Sequence, residues 1–260
     1  MRLFALAVFS LCFATAVHAQ STMPSECLAI AQNLGARFQL AALKETEARI
    51  TYTGHSTFII ESPQGVRAAT DYAGWSGGVT PDAVTMNHAH SSHYTDAPDP
   101  AIKHVLRGWG DGDKPARHDV TVGDIRIRNV TTDIRFGTTS REKDGNSIFI
   151  FETAGLCIGH LGHLHHELAD EHIGWIGRLD VVMVPVDGGM TLPVENMMNV
   201  LKELNVRVIL PMHARFSGSL ERFTATAATR FKVERLSEDT MIVSLDMLPK
   251  EPTVFLMPGM

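Results

Sequence analysis

Residues 81–96 read PDAVTMNHAHSSHYTD, and the pattern of this stretch decides how the rest of the chain is read. Pro81-Asp82 marks a turn and Ala83–Met86 is a short apolar run, which predicts a buried strand breaking into a loop at Asn87. The loop carries His88, His90 and His93. Positions 88 and 90 share one side of extended backbone, while 90 and 93 are spaced for a turn or a helix start. The three rings can therefore converge on one ion or on two adjacent ones, and imidazole is a standard zinc ligand. The competing interpretation is a histidine-rich surface loop that binds nothing, and such short spacing does not by itself separate the two.

On the N-terminal side of this loop the period is that of strands. Ile50–Thr53 and Ser56–Glu61 flank Gly54-His55, and Pro63-Gln64-Gly65 closes a hairpin into residues 66–70, which end at Asp71. On the C-terminal side, His118–Val122 and Ile125–Val130 alternate as strands, followed by Ser147–Glu152 and Leu156–Ile158. The texture then becomes strand and helix in turn. Helices are expected at Leu164–Ile173, Val194–Leu204 and Ser219–Thr229, and strands at Asp180–Val186, Val206–Leu210 and Met241–Leu245. With an N-terminal helix over residues 20–45, about ten or more strands and four helices interleave too irregularly for a Rossmann or barrel fold. Two packed sheets with helices outside, an α+β architecture, fit better.

The first residues belong to no fold. Arg2 precedes an apolar run from Leu3 to Ala16 that is too short to span a bilayer comfortably, and Val17-His18-Ala19 is a small-x-small cleavage site, so residues 1–19 read as a signal peptide. Cys12 follows Leu11 rather than a small residue, which argues against a lipid anchor. A periplasmic or secreted protein without a stable membrane anchor is the expectation. Residues 46–260 then form one domain, since no Pro/Ser/Gly linker divides them. The net charge of −6 suggests no nucleic-acid partner. Of the two cysteines left after cleavage, Cys157 sits in the apolar run Gly155–Gly159 and reads as well as a buried free thiol as it does as a bridge to Cys27.

Three further histidines stand at apolar strand ends: His160 and His163 after Leu156–Ile158, and His213 after Val206–Leu210. Several strand ends of one sheet edge, each offering imidazole, build a pocket with metal-ligand chemistry. His160 is a candidate for a core position beneath that pocket, and His55 follows Gly54 in the first hairpin.

With these motifs collected, the chain resembles the metallo-β-lactamase superfamily, and within it the metal-dependent hydrolases similar to ascorbate-6-phosphate lactonase. The resemblance runs from about Ile50 to Phe216 through TGHSTFIIES, Thr70-Asp71, HAHSSH, Gly145-Asn-Ser, HLGH, DVVMVPVDGG and Pro211-Met-His213. It implies an αββα sandwich with Zn at the open edge of the sheets, acting on a small-molecule substrate, and maps the metal histidines onto His88, His90, His93 and His213. Three positions depart from the family pattern: Ser92 replaces the Asp of HxHxDH, Thr132 beside Asp133 replaces a histidine, and His163 replaces the Asp of HLGD. The last change keeps a ligand type, so His88, His90, His93, His163 and His213 make an all-histidine set for one favoured ion, Zn, with Fe or another divalent metal also compatible. Asp71 and Asp187 are placed to orient imidazole N–H groups. In the family's chemistry a Zn-bound hydroxide attacks a carbonyl or phosphoryl centre, and proton handling here falls to His55, Asp133 or Asp187. The alternative is a sandwich that kept its histidines and binds metal or ligand without turnover.

Overall fold

The computed structural model describes Cys27 and residues 45–260, except residues 112–113 and 137–139. The expected signal peptide and all but Cys27 and Glu45 of the expected N-terminal helix lie outside the described residues. The chain opens with strands β1 (Ala48–Gly54), β2 (Thr57–Glu61), β3 (Arg67–Ala69), β4 (Ala83–Met86) and β5 (His104–Arg107), followed by β6 (Asp119–Val122), β7 (Ile125–Phe136), β8 (Ser140–Thr153) and β9 (Leu156–His160). Strands and helices then alternate: α1 (Asp170–Ile176), β10 (Val181–Pro185), α2 (Val194–Leu204), β11 (Val208–Met212), α3 (Ser219–Ala227), β12 (Lys232–Arg235), β13 (Thr240–Val243) and β14 (Thr253–Leu256).

Two sheets result, one of six strands in the order β13-β1-β2-β3-β4-β5 and one of eight in the order β12-β14-β11-β10-β9-β8-β7-β6. Alternation along the buried strands sorts side chains between the layers. Phe149 and Phe151 of β8, with Val181 and Met183 of β10, face Ile50, Phe58 and Ile60 of the first sheet. Their neighbours Ile148, Ile150, Val182 and Val184 face the helices, where they meet Met197, Met198 and Leu201 of α2 and Phe223 of α3. Strands covered on both faces read as continuous apolar runs, as Val181–Val184 does. Each such buried side chain contributes roughly 1.5–3 kcal/mol. The three α-helices of the described residues lie on the eight-stranded sheet. The outer face of the other sheet buries Ile59, Val84 and Met86 under Tyr72, Ile102, Tyr94 and Trp109, which come from loops. A helix layer on that side is absent among the described residues.

One open alternative is decided and one expectation is corrected. Cys27 and Cys157 form a disulfide with Cα atoms 5.9 Å apart, so Cys157 is not a free thiol. Both cysteines are buried in the helix-side core, and the Arg178 amide donates to the Cys27 carbonyl at 3.1 Å, which holds Cys27 beside β9. The helix expected over Leu164–Ile173 begins only at Asp170, because Leu164 and Leu168 enter the core from a loop.

Candidate metal centre

β3, β4 and β5 run parallel, as do β9, β10 and β11 in the other sheet. Their C-terminal ends share one edge of the sandwich, the position where open α/β sheets bind ligands. Asp71 follows β3, the histidine loop follows β4, His163 follows β9, Asp187 follows β10 and His213 follows β11. His55 sits in the turn after β1. Backbone bonds close this edge across the two sheets: His213 N donates to His55 O at 2.8 Å and Ser147 N to Asn87 O at 3.0 Å.

The six rings form one cluster. His93 lies with ring centroids 5.5 Å from His55, 5.1 Å from His213, 4.8 Å from His163, 6.0 Å from His90 and 6.4 Å from His88. His55 approaches His213 to 4.4 Å between centroids, and the ligand-type atoms of His55, His93 and His213 all lie within 4.8 Å of one another. The Nε2 atoms of these three are buried and have no hydrogen-bond partner. An imidazole nitrogen left in that state costs about 1–3 kcal/mol, and three such nitrogens converging fit a divalent cation.

The partners behind the rings set which nitrogen faces inward. His93 Nδ1 makes a short hydrogen bond to Asp71 Oδ2, both side chains fully buried. The His88 Nδ1–H donates to Gly145 O at 2.7 Å. His213 Nδ1 is 3.4 Å from Asp187 Oδ1. For His93 and His88 the acceptor bonded at Nδ1 leaves the Nε2 lone pair for the site, whereas His213 Nδ1 faces Asp187 without a hydrogen bond, so that both of its ring nitrogens are buried and partnerless. Burial alone would raise the carboxyl pKa of Asp187, but the His213 ring, the Thr191 hydroxyl and the Met190 amide outweigh it and hold the group below the usual carboxylate range. Burial likewise works against ionised Asp71, and the His93 pairing reverses the sign. Both acids are therefore anions at neutral pH. Burial, reinforced by His213 and His93, lowers His55 to about 4. Burial also lowers His88 and His90, so these rings are neutral and able to ligate.

Three residues of the site adopt the left-handed region without being glycine: His55 at φ 51°, Asp71 at φ 48° and His213 at φ 59°. Such conformations cost of order 1–3 kcal/mol each and gather where geometry serves a function.

The structure thus brings together His88, His90, His93, His163, His213 and His55, with Asp187 behind His213. Asp133 is not part of this cluster: its carboxylate accepts from the Asp144 amide at 3.1 Å and faces Arg141 at 4.0 Å, with no hydrogen bond or ion pair to the rings. Thr132 is buried and accepts from Asn146. His160 is a core residue, donating through Nε2 to Ser56 O at 2.8 Å and accepting at Nδ1 from Asn87 and Gly162. Two features go beyond the sequence expectations, which gave His55 a role in proton handling but not as a ring facing the other ligands. His55 turns a partnerless Nε2 toward His93 and His213, and His165 bonds His163 at 2.7 Å. The signal for His55 was its place in a Gly-His turn at a strand end; for His165 the sequence holds none.

Comparison with known proteins agrees with this fold. The profile of the β-lactamase superfamily domain matches residues 49–213. Metal-dependent hydrolases from Methanocorpusculum labreanum and Methanosphaerula palustris are each 24% identical, the first over 67% of this chain and 86% of its own length, the second over 67% and 87%. A structure from Thermotoga maritima, described as a Zn-dependent hydrolase of the metallo-β-lactamase superfamily, superposes with a TM-score of 0.61 at 29% identity, covering 81% of this chain and 98% of that one. The metallo hydrolase Igni18 of Ignicoccus hospitalis shares the fold, with a TM-score of 0.53 at 20% identity over 76% of this chain and 99% of its own. With more than half of its length matched by the domain profile, and with the two-sheet sandwich carrying histidines at its open edge, the chain belongs to the metallo-β-lactamase superfamily.

Proposed function

We propose that this protein is an exported metal-dependent hydrolase that holds one Zn ion and acts on a small ester, lactone or phosphoester. The observation that carries the reading is the set of buried, partnerless Nε2 atoms of His55, His93 and His213. His88, His90, His93 and His213 would hold the ion, with His55 as a further donor. A divalent cation bound there supplies Lewis acidity and lowers the pKa of a coordinated water toward roughly 7.

The chain's own residues do the rest. Asp71 fixes the tautomer and plane of His93 through its hydrogen bond, and Asp187 places a negative charge behind the His213 ring. Asp187 remains ionised and is the carboxylate this reading assigns to proton transfer, in place of Asp133. Trp75, Met190 and Phe216 are exposed on the loops that leave Asp71, Asp187 and His213, and this reading assigns them to contacts with an uncharged portion of the substrate. Arg215 adds positive charge beside His55 and His90, which favours an anionic oxygen in the same molecule.

One ion rather than two follows from charge. Ser92 and His163 bring no carboxylate, and two dications about 4 Å apart repel by about 16 kcal/mol at an effective dielectric of about 20. Export is supported by the signal-like first nineteen residues and by the Cys27–Cys157 disulfide, a bond that persists in oxidising compartments. The lactonase branch suggested by the motifs belongs to the same proposal.

Elemental analysis after dialysis, combined with turnover on lactone, ester and phosphodiester panels, tests the reading. His93→Ala and His213→Ala should abolish stoichiometric metal and turnover, whereas His104→Ala and His118→Ala should keep both. Tightly held metal with no turnover on any panel would favour the binding-only alternative, and two equivalents per chain would overturn the charge argument.

A further inference from the structure

The residue where the family motif has a carboxylate is His163, and the hydrogen bonds behind it decide what it offers. The Arg135 backbone N–H donates to His165 Nδ1 at 3.0 Å. A nitrogen that accepts carries no proton, so neutral His165 holds its proton on Nε2. That Nε2 lies 2.7 Å from His163 Nδ1. The His163 Nδ1 lone pair is therefore taken by His165, and the proton of His163 sits on Nε2.

The opposite polarity fails at the other end of the chain. If His163 donated from Nδ1, His165 would have to accept at both nitrogens and exist as an imidazolate. A doubly protonated His165 would set N–H against the Arg135 N–H. Turning the His165 ring over would bring a C–H group against that amide and leave the bond unmade. The contrast with its neighbours is direct, because His93 and His88 have acceptors, Asp71 and Gly145 O, at Nδ1. His163 has a donor there.

We infer that His163 is not a metal ligand but a hydrogen-bond donor, locked in that tautomer by His165 and the Arg135 amide, which presents Nε2–H to an anionic oxygen of the substrate. The inference rests on the reading of this cluster as a metal centre. With Nδ1 engaged and Nε2 protonated, His163 has no free lone pair to coordinate a cation. Its ring stands edge-on to His93 and His213, at 79° and 82° with centroids 4.8 Å and 5.0 Å away, which puts the donor among the rings that hold the ion. Among the described residues nothing accepts from this Nε2; the other polar atoms of His163 bond Asn146 and His165. A preorganised donor at the point where an oxygen gains charge is a recurrent device of acyl- and phosphoryl-transfer sites. In this chain the substitution at the family's acidic position thus exchanges a ligand for an anion-facing N–H.

Three measurements on the full-length mature protein test this. Two-bond 1H–15N correlation NMR of the metal-free protein, with His163→Leu for assignment, should show His163 protonated on Nε2; an Nδ1-protonated pattern overturns the inference. Zinc content after dialysis should be unchanged within about twofold in His163→Leu and His163→Gln, while His93→Ala loses it; loss in both His163 variants, with melting curves intact, makes His163 a ligand and overturns it as well. Inorganic phosphate should bind the zinc-loaded His163→Leu protein about tenfold or more weakly than wild type, with His163→Gln, which keeps an N–H, restoring part of the affinity. Equal phosphate affinity in all three would remove the anion-binding role. His165→Glu places an acceptor at His163 Nδ1, should reverse the tautomer, and should tighten zinc by about tenfold. If the wild type holds no zinc, the metal-centre reading fails on that result alone, while the tautomer spectrum of the metal-free protein still decides this one.

Discussion

Replacing Gly162 by alanine tests how the edge of the sandwich is held. Gly162 has φ +61°, and a Cβ there would stand 2.4 Å from Asn146 Oδ1, 2.7 Å from Asn87 Nδ2 and 2.8 Å from Asn87 Cβ. The left-handed backbone costs an L-residue roughly 1–2 kcal/mol. The contacts cost more, because both asparagines are fully buried and committed. Asn146 Oδ1 accepts from His163 N at 2.8 Å, and Asn87 Nδ2 donates to Ser147 O at 2.7 Å and to His160 Nδ1 at 3.1 Å. Displacing one of them leaves a buried polar group unsatisfied, about 1–3 kcal/mol. The expected loss is therefore about 2–5 kcal/mol, or a fall in Tm of about 4–20 °C for a domain of this size. Gly65→Ala provides the control, since Gly65 has φ +80° with nothing within 4 Å of its Cβ and should show the backbone cost alone. Circular-dichroism melts and urea titrations of the two variants give the comparison. Equal losses would mean that the asparagine pair does not clamp the HLGH turn, and the account of how His163 is positioned would fall.

The disulfide spans 130 residues of sequence, and closing a loop of that length should contribute about 3–5 kcal/mol, so Cys27→Ser or reduction should lower Tm by several degrees. Melts that are identical in oxidised and reduced protein would show that the bridge does not stabilise the fold. Burial raises the pKa of Asp180, only partly offset by the Cys157 amide and Arg178. An acid with a raised folded pKa loses stability as pH rises from its unfolded value through the folded one, so Asp180→Asn should compare more favourably with wild type at pH 7 than at pH 3.5. The same difference in Tm at both pH values would contradict that assignment. For export, intact-mass analysis of protein from the native host should find Gln20 or a close neighbour at the N-terminus, and retention of Met1 would exclude processing there.

The strands that read clearly were those whose two faces are both buried, since continuous apolar runs such as Val181–Val184 have no other soluble use. Val194–Leu204 was legible as a helix for the complementary reason, one apolar face and one polar. β12 and β14 escaped notice because they are short and lie at or near the edge of the sheet, and the far half of the β7–β8 hairpin because Ser140–Asp144 is almost entirely polar and exposed. Leu164 and Leu168 have helical spacing yet belong to a loop, since spacing records burial and not backbone conformation. At the site, the sequence determined the residue types and their place at strand ends, because the side-chain period and the strand-to-loop transition are local properties. Tertiary structure alone decided that Cys27 meets Cys157, that Asp133 is drawn off to the Asp144 amide and Arg141, and that His55 turns its Nε2 toward His93 and His213. It also decided the polarity of each ring. A histidine's lone pair faces the site or away from it according to the partner on its other nitrogen, and for His163 that partner is a ring whose own proton is placed by a backbone amide on β7, 28 residues earlier in the chain.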